Sequence, residues 1–215
     1  MVIILHPIPA NPINPSPKYK PMILIIDHGS QYTHLIKRNM RDLGKRSEIL
    51  PAQGTALLEV AEKEPEAIIL SGGPSSVQKA RDEVGSRIIN WIWKGDENWR
   101  GTPLLGLCFG HQLIAHTLGG KVGSGSSAEY GLSRVFVDEE DLLFQGVPSE
   151  FTAWVSHFDE IKELPEGFVS LAHSESCSIE AMRHKERKIF GCQFHPEVWH
   201  TEPGEKILGN FLSCI

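Results

Sequence analysis

Leu104-Leu105-Gly106-Leu107-Cys108-Phe109-Gly110-His111-Gln112 is the stretch on which the reading turns. Leu104 to Leu107 is a buried, strand-sized run, and a helical pattern follows from Gly110 to Leu118, closed by Gly119 and Gly120. Between them lies Gly-x-Cys-x-Gly, the pattern of a nucleophile elbow with cysteine in place of serine. In such a turn the nucleophile sits in a strained backbone conformation, and glycines two residues to either side let strand and helix approach closely. The helix N-terminus would place the positive end of a dipole at Cys108, which favours the thiolate. A lone cysteine is more often a small buried hydrophobe. Here the flanking pattern favours the nucleophile.

Working outward, apolar runs Met22 to Asp27, Ser47 to Leu50 and Ala67 to Leu70 precede Leu104 to Leu107, each separated by a longer segment. Tyr32, Leu35, Ile36, Met40 and Leu43 share a helical face, ended by Gly44, and a second helix is expected over Val84 to Lys94. This alternation predicts an α/β fold whose open, mostly parallel sheet is flanked by helices. The second half changes texture. Leu132 to Val137, Phe151 to Val155, Phe168 to His173, Ser178 to Arg183 and Lys188 to Phe194 read as short strands in antiparallel hairpins, before an amphipathic helix over Glu205 to Cys214.

The chain has 215 residues, 40% of them hydrophobic, which suits one domain. Its first 21 residues carry prolines at 7, 9, 12, 15, 17 and 21, so residues 1–21 are expected to form an extended or disordered arm, with Met22 as an alternative start. The domain proper is then 22–215. A formal charge of -6 with scattered Lys and Arg argues against nucleic-acid binding. No apolar run approaches the length of a membrane span. The four cysteines lack a C-x-x-C spacing or the density of a disulfide scaffold, which points to reduced thiols in a cytoplasmic protein.

A cysteine nucleophile needs a base, and the base an orienting acceptor. Phe194-His195-Pro196-Glu197 offers both: Pro196 keeps His195 out of the helical region, and i and i+2 side chains of an extended chain project to one side. Cys108, His195 and Glu197 therefore form the candidate triad. Donors for an oxyanion are expected from the Gly73 and Phe109 N–H groups, because Ser71-Gly72-Gly73-Pro74 follows a parallel strand at the edge where ligands bind. A phosphate loop also opens Ser-Gly-Gly, but Pro74 removes a donor that such a loop would use. The histidine pairs His195/His200 and His111/His116 lack a familiar ligand spacing, so no structural or catalytic metal is expected.

Together, Gly-Leu-Cys-Phe-Gly-His-Gln, Ser-Gly-Gly-Pro and Gln-Phe-His-Pro-Glu make the chain resemble the class I (triad) glutamine amidotransferases over most of residues 22–212. Asp27 to Tyr32, Trp154 to Glu160 and Val198 to Glu202 look most like the glutaminase subunits of two-subunit, archaeal-type GMP synthases. The resemblance implies that L-glutamine is split through a thioester on Cys108. It also implies that Gly72, Gln112 and the backbone around Ser156 and His157 hold the glutamine, and that Asp159 and His200 face a partner. No Ser-Gly-Gly-x-Asp-Ser loop is present. The resemblance therefore implies no cofactor in this chain, with ATP and Mg²⁺ belonging to a separate ATP-pyrophosphatase-type synthetase subunit that converts XMP to GMP. The alternatives are a glutaminase serving another acceptor, a free-standing γ-glutamyl hydrolase and a non-catalytic regulatory subunit.

Overall fold

The computed structural model describes residues 22–78, 84–95 and 101–215; the proline-rich arm expected over 1–21 lies outside them. The first strands are β1 (Ile23–Asp27), β2 (Ser47–Pro51), β3 (Ala67–Leu70) and β4 (Leu104–Leu107), with α1 (Thr33–Asp42), α2 (Leu57–Glu62) and α3 (Val84–Lys94) between them. Then follow α4 (Phe109–Thr117), β5 (Lys121–Val137), β6 (Glu150–Glu163), β7 (Phe168–His173), β8 (Ala181–His184), β9 (Ile189–Cys192) and α5 (Gly204–Leu212). One nine-stranded sheet runs β2-β1-β3-β4-β9-β8-β7-β5-β6. Its first five strands pair in parallel and the remainder antiparallel, as the texture of the two halves predicts.

Because strand side chains alternate, β1 feeds two cores. Leu24 and Ile26 face α2, α3 and α4 through Val60, Ile88 and Leu113. Ile23 and Ile25 face α1 and α5 through Ile36, Met40, Ile207 and Phe211. Gly44, at φ 77°, ends the first helical segment as its position suggested. The sheet therefore has both faces covered where it is parallel, and its carboxyl edge carries the loops after β1, β3 and β4.

Two features differ from expectation. The short runs around 132–137 and 151–155 belong to a far longer ribbon, β5 paired with β6, whose register shifts between Ser124 and Glu129. Polar and glycine positions at 121–131 hide this from a hydrophobic pattern, since one face of a two-stranded ribbon needs no burial. Helix α2 was not anticipated because it has only six residues, anchored by Leu57 and Val60. Among the described residues, no helix is long and apolar enough to cross a membrane.

Glycines set the distance between β3, β4 and α4. A Cβ at Gly110 would lie 2.4 Å from the Leu70 carbonyl oxygen, and one at Gly106 would lie 2.4 Å from the Gly110 backbone. Gly209, in α5, would present a Cβ only to Leu43 Cδ2 at 3.8 Å. Opposite signs follow. Gly110→Ala should destabilise by about 2 kcal/mol or more through overpacking, whereas Gly209→Ala should stabilise by roughly 0.5–1 kcal/mol through lower unfolded-state entropy. Urea melts of the two variants against the parent check both; equal midpoints would refute the close-approach argument.

Candidate active site

The elbow is built as the sequence suggests. Cys108 stands between β4 and α4 with φ 49° and ψ -103°, a left-handed conformation unusual for a residue with a side chain. Its N–H donates to the Cys192 carbonyl at 2.8 Å, extending the β4–β9 pairing one residue past the strand. The next turn is tied down when Gly110 N–H donates to the Ser71 carbonyl at 3.2 Å. These bonds hold the strained residue from both sides and leave its side chain at the floor of a cleft of about 800 Å³.

His195 reaches the same floor from the loop after β9. Its own N–H donates to the Trp154 carbonyl at 2.9 Å, and its carbonyl accepts from the Thr201 hydroxyl at 2.7 Å. The ring is 3% exposed and its Nδ1 lies 2.8 Å from Glu197 Oε1. Burial alone would lower the basicity of such a ring. The Glu197 carboxylate and the neighbouring Cys108 side chain outweigh it, so the His195 pKa is raised well above the usual histidine value. The imidazolium is thereby favoured, with its remaining nitrogen available to sulfur. The i, i+2 argument that joined His195 to Glu197 holds.

The glycine loop closes over this pair. A Cβ at Gly72 would lie 3.1 Å from His195 Cε1 and 3.6 Å from Cys108 Cβ, and one at Gly73 would be 2.6 Å from the His28 carbonyl oxygen. A side chain at Gly73 would force the backbone to shift, and one at Gly72 would press on the His195 ring. Gly73, Cys108, Phe109, Gln112, Ser156, His157, Asp159 and His195 all line the cleft. Asp159 accepts from the Ser76 hydroxyl at 2.6 Å. His200 lies outside the cleft, stacked on Trp154 at 5.0 Å and beside Trp199, which is 82% exposed.

Three features were not anticipated. Gln193, fully buried, bridges Gln112 and the Cys108 sulfur. The signal was available, because residues 193 and 195 are i and i+2 in an extended segment. Glu129, brought opposite His157 by the β5–β6 register, pairs with it at 2.9 Å. Glu180 lies beside them, and among the described residues these three are the only group whose donor atoms converge, within 4.8 Å, closely enough to hold a cation. Burial raises the Glu180 carboxyl to about 8, partly offset by the Ser174 hydroxyl, so it carries a proton near neutrality. His111 is buried and uncharged, with Nε2 3.3 Å from the Ile179 carbonyl oxygen.

Comparison with known proteins identifies the family. Residues 24–214 match the family model described as glutamine amidotransferase class-I. A subunit of the glutamine-hydrolysing GMP synthase of Methanocaldococcus jannaschii is 48% identical over 191 residues, covering 88% of this chain and 95% of that protein. Its counterpart of the same name in Pyrococcus abyssi is 48% identical over 192 residues, covering 88% and 96%. The crystal structure of a Thermoplasma acidophilum protein assigned to GMP synthase superposes with a TM-score of 0.80 at 34% identity, covering 90% of this chain and 93% of that one. A buried cysteine, histidine and glutamate at the carboxyl edge of a parallel sheet, in a chain matched along nearly its whole length, places this protein in the class-I glutamine amidotransferase family.

Proposed function

We propose that this chain is the glutaminase subunit of a two-subunit GMP synthase, hydrolysing L-glutamine and passing ammonia to a separate synthetase subunit. The observation that carries the hydrolytic half is the buried His195–Glu197 pair set against Cys108 on a strained elbow. The choice of acceptor rests on the relatives of M. jannaschii and P. abyssi, each named as one subunit of glutamine-hydrolysing GMP synthase and matched along nearly its entire length.

In this reading the Cys108 thiolate attacks the γ-carbonyl carbon of glutamine, and the Gly73 and Phe109 N–H groups receive the oxyanion. Collapse of the tetrahedral adduct breaks the C–N bond as the His195 imidazolium gives its proton to the departing nitrogen, leaving a glutamyl thioester and ammonia. Neutral His195 then takes a proton from water, whose oxygen attacks the thioester; glutamate leaves and the thiolate–imidazolium pair is restored. Gly72, Gln112 and the backbone of Ser156 and His157 hold the amino-acid end of the substrate. No cofactor takes part in these steps. ATP and Mg²⁺ act in the partner, an ATP-pyrophosphatase-type subunit that activates XMP.

The partner side of the molecule follows from exposed aromatic residues at the cleft mouth. Tyr130, 74% exposed, packs edge-on to Trp154 at 5.6 Å, and Trp154 stacks on His200 beside Trp199. This apolar run, which reaches the cleft through Tyr130, is what supports His200 as a partner-facing residue, and Asp159 is added because it lines the same cleft beside exposed Phe158.

Two outcomes follow. Cys108→Ala should lose glutamate production by about 10³-fold or more, while the parent chain should be stimulated by a GMP synthetase subunit supplied with ATP, Mg²⁺ and XMP and should form GMP in step with glutamate. Cys108-dependent hydrolysis indifferent to that partner would move the search to another acceptor or a free-standing hydrolase. The second concerns pH. His195 must be protonated to release ammonia and its folded pKa is raised, so activity persists through neutrality and falls as pH rises past that value. Glu197→Gln removes a raising charge and should move the alkaline limb of kcat/KM to lower pH; an unmoved limb would contradict the role assigned to the pair.

A further inference from the structure

Behind the cleft, three side-chain and backbone groups form a continuous line that ends on the nucleophile. Gln112 Nε2 donates to the Asp159 carbonyl at 2.6 Å and to Gln193 Oε1 at 3.1 Å; Gln193 Nε2 donates to Cys108 Sγ at 3.7 Å. A backbone carbonyl can only accept, so the Asp159 carbonyl fixes which end of the Gln112 amide is nitrogen. The second hydrogen of that nitrogen then requires an acceptor, which fixes Gln193 Oε1 toward Gln112. The nitrogen of Gln193 is left to face sulfur. Each amide orientation dictates the next, and flipping either would set two acceptors or two donors against each other inside a buried site.

We propose that Gln193 is a positioning residue of the glutaminase reaction, with its amide coupling the orientation of Gln112 to the placement of the Cys108 sulfur. This rests on the proposed function above. At one end, the Gln193 N–H holds the sulfur by a hydrogen bond and so fixes where it points. At the other, its Oε1 consumes the last hydrogen of the Gln112 amide, so that Gln112, which lines the cleft, has only its own Oε1 to offer the substrate. Gln193 is fully buried and does not line the cleft, so it acts through its two neighbours. Without it, Gln112 keeps a single tether and the Cys108 side chain loses its donor on this side while retaining the Ser156 carbonyl, 3.6 Å from Sγ. The titratable groups around the sulfur are His195, with Glu197 behind it, and His157, whose basicity His195 helps to lower.

Gln193→Met preserves bulk and removes both hydrogen bonds. With the synthetase subunit present, the KM for glutamine should rise roughly tenfold, and iodoacetamide alkylation of Cys108 near neutrality should slow about tenfold. Cys108→Ala supplies the blank for alkylation. A folded Gln193→Met variant with both quantities within about twofold of the parent would overturn the proposal. Gln193→Glu keeps an acceptor for Gln112 and removes the amide donor, so it covers the case in which the methionine variant does not fold. KM should then hold while alkylation slows, and parental alkylation, or a KM raised with it, would equally refute the coupling. A parent complex that made no glutamate would sink the proposed function instead, and the alkylation comparison, which needs no substrate, would still decide the sulfur contact.

Discussion

The backbone of Cys108 is the constraint from which the site is assembled. A residue with a Cβ at φ 49° costs of order 1–3 kcal/mol relative to relaxed backbone. It persists because its N–H is held by the last residue of β9 and the following turn is held by Ser71 after β3. Both neighbours are central parallel strands with fully buried side chains, among the most rigid parts of such a sheet. The glycines at 106 and 110 make the geometry sterically possible. The same three strand ends deliver the Gly72–Gly73 loop, Cys108 and His195, so one strained residue and one sheet edge account for most of the proposed site.

Electrostatics decides what that geometry can do. Taking an imidazolium and a carboxylate out of water costs several kcal/mol per ion, and the pair is worth keeping only with good geometry and further partners. His195 and Glu197 meet at 2.8 Å with both residues nearly inaccessible. Sulfur supplies the further partner, because a thiolate beside the ring gives the buried cation a second countercharge. Around this centre, burial lowers the basicity of His157 and His111 and raises Glu180.

Much of this was legible in the sequence, for identifiable reasons. The elbow could be read because glycine spacing around a cysteine answers a steric need. The His195–Glu197 contact could be read because a proline fixes its neighbour's backbone and two-residue spacing fixes the face. Strands β1, β3 and β4 could be read because burial on both faces leaves unbroken apolar runs. What resisted reading depends on register and long-range pairing. The β5–β6 ribbon carries little hydrophobic signal, and the meeting of Glu129 with His157 follows from a bulge that no local pattern announces. Gln193 opens the Gln-Phe-His-Pro-Glu motif, yet its role appears only when Gln112 and Cys108 are brought to it from another element.

The claim on which everything turns is that Cys108 is acylated by glutamine during turnover. Rapid acid quenching of the complex with synthetase during steady hydrolysis, followed by mass spectrometry of the digested chain, tests it directly. A glutamyl group in thioester linkage on the peptide containing Cys108, absent without glutamine and lost on standing in neutral hydroxylamine, is the predicted result. Steady glutamate production with that peptide unmodified, or with the glutamyl group on Cys177, Cys192 or Cys214, would contradict it.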